Sequence, residues 1–375
     1  MFWPVPLLYV LWGIRRSTRL RTYVPARGAD VPRVTVIIPA RDEALNIGRC
    51  VASVLASTYA NLEVIIVDDH SSDDTGAIAR RLVEHDARAR VTVPPPLPAG
   101  WYGKQWACAH AASLATGDLL LFTDADTDHA PDLAPRAVRA LTERHADLLT
   151  VVGRQETVTF WERAVQPAVF LSIMLTMGNS EAMSASRNPK RKAANGQFLL
   201  MRRAVYDAEG GHERVRAYVA EDIMFAHTWT ARGRAVHILL AEDLLATRMY
   251  RSLGDIIRGW SKNVWAGTKH LLPQNRIARG LGRISLPFMP LIGLLPHALI
   301  ALALAGIVSR EWLWPAVAAY VLGTIGLYLV FTAMRLPRSS ALLHPLGCAM
   351  SAYIFALAAL RGDRTEWKGR LNRAA

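Results

Sequence analysis

One stretch of the chain is almost free of charge, and it limits what the chain can fold into. Between residues 284 and 360 only four of 77 residues are charged, whereas 20% of the whole chain is charged. Three windows in this stretch, 284–308, 312–334 and 341–360, are apolar and long enough to cross a lipid bilayer. The sequence therefore predicts a transmembrane region that follows a water-soluble part.

The two ends of the predicted membrane region raise the question of orientation. A shorter apolar run at 2–14 is followed by five arginines, the last of them Arg27. Basic residues after the run, with no small-residue cleavage site, argue against a signal peptide. We expect a short anchor whose basic flank faces the cytoplasm.

Three complete C-terminal spans would then place the tail outside, although five basic residues between 361 and 373 favour the cytoplasmic side. One of the three windows is therefore expected not to span. Our candidate is the first, which contains Pro287, Pro290 and Pro296 and is expected to be kinked or re-entrant.

Charge and cysteine content exclude several classes of protein. The net charge of +13 would suit a nucleic-acid partner. However, the excess flanks apolar segments and no nucleic-acid motif is present, so anionic lipid headgroups are the expected partner. Three scattered cysteines, Cys50, Cys108 and Cys348, are too few for a disulfide framework or a zinc site. A reducing, cytoplasmic setting for the soluble part follows.

Strands and helices alternate in the soluble part. Short β-branched apolar runs at 34–40, 62–69, 91–93 and 118–126 read as buried strands. Helical patterns separate them, one of them opening after Ser71 or Ser72 as the expected N-cap. This alternation predicts an α/β fold with a doubly wound, mostly parallel sheet, in which ligands bind beyond the carboxyl ends of the strands.

Carboxylates follow two of these predicted strands directly. Asp68 and Asp69 end one strand, and Asp124, Asp126 and Asp128 follow the apolar run of another in "DLLLFTDADTD". Like charges this close repel one another unless a cation joins them. Mg²⁺ and Mn²⁺ prefer oxygen ligands and commonly use one or two carboxylates together with substrate phosphates. The sequence therefore predicts a divalent cation at this edge of the sheet.

The ordered set of motifs resembles family 2 glycosyltransferases. It runs through "VTVIIPARDEALNIGRCVASVLASTYANLEVIIVDDHSSDDT", "GKQWACAHAASLATGDLLLFTDAD", "AANGQFLLMRRAVYDAEGG" and "VAEDIMFAHTWTARGRAVHI", and covers roughly residues 33 to 270. The resemblance implies the nucleotide-sugar-binding GT-A fold, joined here to C-terminal transmembrane helices.

Resemblance to this family also implies roles for individual residues. The residues matching its nucleotide-binding positions are Pro39, Ala40, Arg41, Glu43, Asp68, Asp69, Lys104 and Asp124. The metal motif matches Asp124 and Asp126, with Asp126 the expected direct ligand, while Asp128 lies outside the matched pair. Glu221 and Asp222 match the acid–base motif, and Asp222 is the expected base that takes the acceptor hydroxyl proton in an inverting transfer.

Two departures refine this interpretation. Processive members carry Gln-x-x-Arg-Trp after the Glu-Asp motif. Here "IIRGWSKNVWAG" lacks it, with Trp260 and Lys262 in the region, so transfer of a single sugar is expected. The segment "PPLPAGWYGKQWA" resembles the "LPxGWxGKxWA" segment of the hopanoid-associated and carotenoid glycosyltransferase subgroup. This second likeness implies an acceptor role for Trp101 and Trp106. An acceptor or diphosphate role for Trp260 and Lys262 is expected from their place in the region that matches the processive motif.

Together these features predict a multi-pass membrane enzyme with a cytoplasmic catalytic domain. It would move one sugar from a nucleoside-diphosphate sugar, expected to be a UDP-sugar, to a polyprenoid, hopanoid or carotenoid acceptor. Two alternatives stay open: a polyprenyl-phosphate glycosyltransferase using Arg187, Lys190, Arg191 and Lys192, and a non-catalytic nucleotide-sugar-binding membrane partner.

The predicted organisation along the chain has five segments. They are an anchor with its basic flank (1–30), a catalytic domain (31–247), an amphipathic interfacial segment (248–283), a transmembrane region (284–361) and a basic tail (362–375).

Overall fold

The computed structural model describes residues 4–28, 31–270, 272, 275–362, 364–367 and 370–373. The chain forms two compact units. The sheet unit consists of Thr18–Arg154, Ser180–Arg248 and Glu366–Ala375, and the helical unit of Met1–Ser17, Gln155–Asn179 and Met249–Thr365. Residues 1–3 of the predicted anchor and Lys368 of the predicted tail lie outside the described residues.

Strands are numbered β1 to β12 in chain order. They are Val34–Ala40, Leu62–Asp68, Ala89–Thr92, Leu119–Phe122, Thr127–His129, Leu148–Val152, Arg154–Gln155, Leu199–Arg202, Val236–Leu240, Leu245–Thr247, Arg364–Trp367 and Arg370–Arg373.

Helices are numbered α1 to α16 in the same way. They are Pro4–Arg16, Ile47–Leu55, Thr75–Val83, Gly103–Leu114, Leu133–Glu143, Phe160–Met177, Ser180–Ala185, Arg203–Ala208, Gly211–Arg214, Glu221–Ala231, Leu253–Thr268, Arg276–Ser285, Phe288–Leu291, Leu295–Leu304, Leu313–Ala333 and His344–Arg361.

The centre of the sheet unit is a seven-stranded sheet in the order β3-β2-β1-β4-β8-β6-β9. Strands β1 to β4 run parallel to one another, and β6 runs parallel to β9, while β8 is antiparallel to both β4 and β6. The predicted α/β fold with a mostly parallel sheet is confirmed. Strand β8 is the exception that sequence patterning did not indicate.

Alternation along β1 and β2 explains the two hydrophobic layers around this sheet. Val36 and Ile38 pack into the core on one face, and Ile37 into the core on the other. Both faces are covered, so these strands are mostly apolar, as is typical of parallel sheets flanked by helices. The polar exceptions are Thr35 on β1 and Glu63 and Asp68 on β2. Their carboxyl ends then become the places where polar residues meet solvent.

Helix α3 begins later than its sequence suggests. The expected cap at Ser71 or Ser72 is wrong, because the N-cap residue is Asp74 and the helix starts at Thr75. The carboxylate of Asp73 accepts the backbone N–H of Thr75 at 3.0 Å. Ser71 instead donates its backbone N–H to Asp68 at 3.1 Å, which shapes the loop after β2.

The helical unit is built around α6, α11 and α16. Their shared core includes Val165, Val169, Trp260, Ile354 and Phe355. Helix α6 starts with a capping box in which Thr159 and Glu162 exchange hydrogen bonds, and this stabilises its N-terminus.

Two helical stretches among the described residues are candidate membrane spans by length and composition, Arg276–Leu304 and Arg310–Ala333. Only 28% of the most apolar window of each is buried. These two stretches correspond to the first and second apolar windows of the sequence. The third window, 341–360, is not among the candidate spans, and its helix α16 buries one face. The sequence instead predicts that the proline-rich first window is the one that does not span.

Candidate active site

The predicted carboxylate site lies at the carboxyl ends of β1, β2 and β4. Asp124 and Asp126 occupy the short connection between β4 and β5. Thr127 donates its hydroxyl to the backbone oxygen of Asp124 at 2.7 Å, and Arg248 donates its N–H to that of Asp126 at 3.3 Å. Both ends of the connection are therefore held by hydrogen bonds, which fixes where its two carboxylates point.

A buried network of hydrogen bonds stabilises the connection between β4 and β5. Thr123 donates its hydroxyl to the backbone oxygen of Gln197 at 2.7 Å and lies 2.9 Å from His129 Nε2. Burial lowers the pKa of His129 to about 4, so its ring is neutral. The network joins β4, β5 and the segment before β8, and no pattern in the sequence indicates it.

Lys104 joins two of the predicted site carboxylates. Its Nζ lies 2.7 Å from Asp124 Oδ1 and 2.8 Å from Glu221 Oε1. Burial alone would lower the pKa of Lys104, but Asp124 and Glu221 outweigh it and hold that pKa well above its ordinary value. The start of α4, the end of β4 and the start of α10 thus converge on one ammonium group.

Asp222 lies at the same place and is held by the backbone. Its Oδ2 accepts the N–H of Gly196 at 2.9 Å, and its Oδ1 accepts the N–H of Ile223 at 2.8 Å. Burial and the neighbouring Glu221 raise the pKa of Asp222 to about 7. A carboxyl group that titrates near neutral pH suits a general base.

Asp126 differs from its neighbours because one of its oxygens has no hydrogen-bond partner. Its Oδ1 is buried and unpaired. Burial, Asp124 and Glu43 together raise the pKa of Asp126 to about 8. Buried polar atoms in folded proteins are almost always paired, so an orphaned carboxylate oxygen indicates a missing partner.

The residues predicted to contact the nucleotide lie in the loops after β1 and β2. Asp69 is 1% exposed, and its backbone oxygen accepts Arg41 Nη1 at 2.6 Å. The N–H of Glu43 donates to Thr75 Oγ1 at 2.7 Å, which ties the two loops together. Pro39 and Ala40 end β1 at the same edge. The placement is compatible with the predicted roles, which stay predictions.

Four side chains singled out in the sequence have neighbours that bear on their roles. Asp68 Oδ1 accepts the Ser71 N–H, so Asp68 shapes its own loop. Trp101 and Trp106 pack edge to face with ring centroids 5.2 Å apart, and both are half-buried in the sheet unit. Asp128 forms an ion pair with Arg49 at 2.6 Å.

Two residues of the predicted acceptor or diphosphate set, Trp260 and Lys262, belong to the helical unit. Trp260 is 5% exposed and stacks edge to face on Phe170, with ring centroids 5.3 Å apart. Its placement is that of a core residue, while Lys262 is half-buried. Their predicted roles stay predictions.

Lys192 is one of the four basic residues that could bind the phosphate of a polyprenyl-phosphate acceptor, but its ammonium is already engaged elsewhere. Its Nζ donates to the backbone oxygens of Ser184 at 2.6 Å and Val236 at 2.8 Å, and the residue is 4% exposed. Burial lowers the pKa of Lys192 to about 8. The basic segment therefore offers Arg187, Lys190 and Arg191 to solvent, but not Lys192.

Two carboxylates of the site, Asp124 and Asp126, provide ligands that a divalent cation prefers. Among the described residues no group of three or more His, Cys, Asp or Glu side chains is arranged as a metal site. The unpaired oxygen of Asp126 and the nearby Asp124 nevertheless offer the hard oxygen ligands that Mg²⁺ and Mn²⁺ prefer. These residues fit such an ion, with the remaining ligands left to substrate phosphates and water.

Gly196 is the site residue that sequence reasoning missed. A Cβ built there would lie 3.1 Å from Lys104 Nζ and 3.4 Å from Asp222 Oδ2. A side chain at this position would press on both groups, so the absence of one favours their close approach to the backbone. The "NGQ" sequence before a strand was the available signal, but its partners are far away along the chain.

The mostly parallel α/β sheet, with carboxylates at the ends of its strands and Glu221 and Asp222 at the start of α10, has the organisation expected of a glycosyltransferase-like domain. Residues 35–210 match the family described as "Glycosyl transferase family 2". The predicted resemblance is confirmed: these residues, slightly less than half of the chain, are similar to family 2 glycosyltransferases.

Curated relatives that are similar to this chain are also glycosyltransferases by name. The chain is 27% identical over 247 residues to 4,4'-diaponeurosporenoate glycosyltransferases of Staphylococcus aureus strains MRSA252 and USA300, covering 64% of this chain and 63% of each relative. The match thus spans less than two thirds of those relatives.

A mannosyltransferase from Pyrobaculum calidifontis, solved in complex with GDP-Man and Mn²⁺, aligns with a TM-score of 0.52 and 20% identity. The alignment covers 95% of this chain and 94% of that one. This likeness shows the fold.

Proposed function

We propose that the chain is an inverting, metal-dependent glycosyltransferase anchored to a membrane. It transfers a single sugar from a nucleoside-diphosphate sugar, a UDP-sugar in our proposal, to the hydroxyl or carboxyl group of a lipid-like polyprenoid acceptor. The observation that carries this proposal is the convergence of Lys104, Asp124, Glu221 and Asp222 around the backbone of Gly196.

Asp222 is the general base in this proposal. Two backbone N–H groups, from Gly196 and Ile223, hold its carboxylate in one orientation. With a pKa raised to about 7, it is ionised in a large share of molecules at neutral pH and still basic enough to accept a hydroxyl proton. Proton removal by Asp222 makes the acceptor oxygen a better nucleophile toward the anomeric carbon.

The divalent cation would be held by Asp126 and Asp124. When bound, such an ion stabilises the negative charge on a departing diphosphate. Asp126 supplies the buried oxygen that has no other partner, and Asp124 supplies a second carboxylate on the same connection. The mannosyltransferase of similar fold was solved with Mn²⁺, which is compatible with this assignment.

The lipid-like acceptor is supported by two independent observations. The name of the Staphylococcus aureus relatives specifies a glycosyltransferase of diaponeurosporenoate, a carotenoid acid. The chain also has two candidate spans, Arg276–Leu304 and Arg310–Ala333, whose most apolar windows are largely exposed. An acceptor that partitions into lipid is reached most readily by an enzyme attached to the same membrane.

Lipid analysis of cells tests the proposal. The chain is expressed in cells that make a carotenoid acid, in parallel with Asp222→Asn and with Asp128→Asn as the matched control. We expect a new glycosylated lipid with the wild type and with Asp128→Asn, because Asp128 pairs with Arg49 rather than with the site. Asp222→Asn should lower its amount at least 100-fold, since a general base contributes that much or more.

Mass spectrometry of the lipid extract measures the product, and fractionation of the same cells measures anchoring. A labelled sugar on a phospholipid-like carrier would favour the polyprenyl-phosphate alternative. Donor binding without any glycosylated lipid across a broad set of acceptors would favour a non-catalytic partner. Recovery of the protein in the soluble fraction after an alkaline wash would refute the membrane anchor.

A further inference from the structure

The ammonium group of Lys104 occupies the centre of the carboxylate cluster. It lies within 2.8 Å of one oxygen each from Asp124 and Glu221. The Lys104 side chain is 25% exposed, and Glu221 is 6% exposed. Partly shielded ion pairs of this length are much less screened by water than surface pairs.

The ammonium of Lys104 offsets the negative charge of the carboxylates around it. Asp124, Asp126, Glu221 and Asp222 act electrostatically on one another or on Lys104. Uncompensated carboxylates at such separations repel one another and resist burial. A single positive charge between two of them lowers that cost.

The position of Lys104 is fixed by the backbone around it. Tyr102, just before α4, donates its N–H to the oxygen of Arg216 at 2.9 Å, and Gln105 donates its side chain to the oxygen of Tyr218 at 2.6 Å. Gly196 lies so close that a Cβ there would be 3.1 Å from the ammonium. The lysine is thus built into the site.

Resting on the function proposed above, we propose that Lys104 is a resident counter-cation that a divalent ion displaces from Asp124. Asp124, whose Oδ1 now contacts the ammonium, and Asp126, whose buried Oδ1 is unpaired, would hold the ion. The ammonium stays on Glu221, at the start of the helix that carries Asp222. Lys104 links the connection between β4 and β5 to α10 through its ion pairs with Asp124 and Glu221. Binding of the ion would break the first of these ion pairs.

Competition between the two cations has a measurable consequence. With no nucleotide present, Mn²⁺ must release the ammonium from Asp124 before it can use that oxygen. Removing the lysine charge should therefore tighten Mn²⁺ binding, whereas an ordinary structural lysine would leave it unchanged or weaken it.

The test is a Mn²⁺ titration of the purified full-length chain in detergent, without nucleotide. Free Mn²⁺ is measured by electron paramagnetic resonance for the wild type, Lys104→Met and Arg49→Met. We expect Lys104→Met to bind Mn²⁺ about 3- to 10-fold more tightly, the scale of one partly screened charge contact. Arg49→Met is the matched control, because it removes a nearby positive charge that pairs with Asp128 instead.

Two further variants keep the test decisive if Lys104→Met does not fold. Lys104→Gln retains hydrogen-bond donors but no charge, so it should also tighten binding, by a smaller factor. Lys104→Arg keeps the charge, so its Mn²⁺ affinity should stay within about 2-fold of the wild type or fall.

Unchanged or weaker Mn²⁺ binding in Lys104→Met and Lys104→Gln would overturn the inference while leaving the proposed function intact. An equal gain in Arg49→Met would also overturn it, because the effect would then be one of general charge. A wild type that binds no Mn²⁺ at all would overturn both the inference and the metal dependence of the proposed function.

Discussion

Asp126 carries the strongest sign that the site is incomplete without a ligand. Its buried Oδ1 has no partner, and burial together with Asp124 and Glu43 raises its pKa to about 8. Because the folded state favours the protonated form, folding becomes less favourable as pH rises from about 4, where the unfolded carboxyl ionises, to about 8. A bound cation would reverse this effect.

Replacing Asp126 with asparagine should therefore stabilise the metal-free protein at high pH. We expect Asp126→Asn to raise the free energy of unfolding by about 1–3 kcal/mol at pH 8.5, after allowance for screening, and to have little effect near pH 4. Thermal melts with a chelator present, at pH 4.5, 6.5 and 8.5, measure the change.

Asp128→Asn is the control for those melts, since its carboxylate already has Arg49 as a partner and should gain nothing. A gain for Asp126→Asn that is the same at all three pH values would contradict the raised pKa.

Individual site residues were predictable to the extent that they follow apolar strands. Asp69, Asp124 and Asp126 were found this way, since the carboxyl ends of parallel strands share an edge. Gly196 was not, because its need for a missing side chain arises from Lys104 and Asp222, which approach it only in the folded chain. The burial of Lys192 on two carbonyl oxygens was equally invisible in a run of basic residues.

At the scale of elements, a buried carboxylate joins the strands at the edge opposite the site. Glu63 on β2 accepts the hydroxyl of Thr35 on β1 at 2.5 Å and Arg90 on β3 at 2.8 Å. It also accepts the N–H and hydroxyl of Thr116, each at 2.9 Å, just before β4. Although burial opposes it, this set of donors lowers the pKa of Glu63 to about 2.

Glu63→Gln should destabilise the sheet unit in a pH-dependent way. The ionised carboxylate stabilises the fold fully above its unfolded pKa of 4.5, and that stabilisation is lost as pH falls toward about 2. We expect a loss of about 2–3 kcal/mol at pH 7 that shrinks below pH 4. Urea unfolding at pH 7 and pH 3.5 measures it, and a loss of the same size at both would disprove the charge-based explanation.

Strands proved easier to predict than the ends of helices. Strand β1 was predicted at its observed bounds because its β-branched run is long and uninterrupted. The cap of α3 was misplaced because four Ser and Asp residues, 71–74, precede the helix, and each of them is a favourable N-cap residue. The choice depends on contacts with the loop after β1, such as Ser72 N–H to Asp42 at 2.7 Å.

At the scale of the whole molecule, composition distinguished an apolar C-terminal part but not the full extent of the helical unit, to which Gln155–Asn179 also belongs. Hydrophobicity indicated the apolar C-terminal part, but it did not show which windows keep a free apolar surface. Helix α16 buries residues such as Ile354 and Phe355 against α6 and α11. Packing partners of this kind lie elsewhere in the chain, so an apolar window alone does not distinguish a lipid-facing helix from a core helix.

The central claim is that the carboxylate cluster binds the nucleoside-diphosphate-sugar donor only together with a divalent cation. Equilibrium dialysis of radiolabelled UDP against the purified full-length chain, with and without Mn²⁺, tests this claim most directly. The account predicts that Mn²⁺ tightens UDP binding at least about 10-fold in the wild type and has no such effect in Asp126→Asn. UDP binding that is equally tight without Mn²⁺, or equally enhanced by Mn²⁺ in Asp126→Asn, would contradict it.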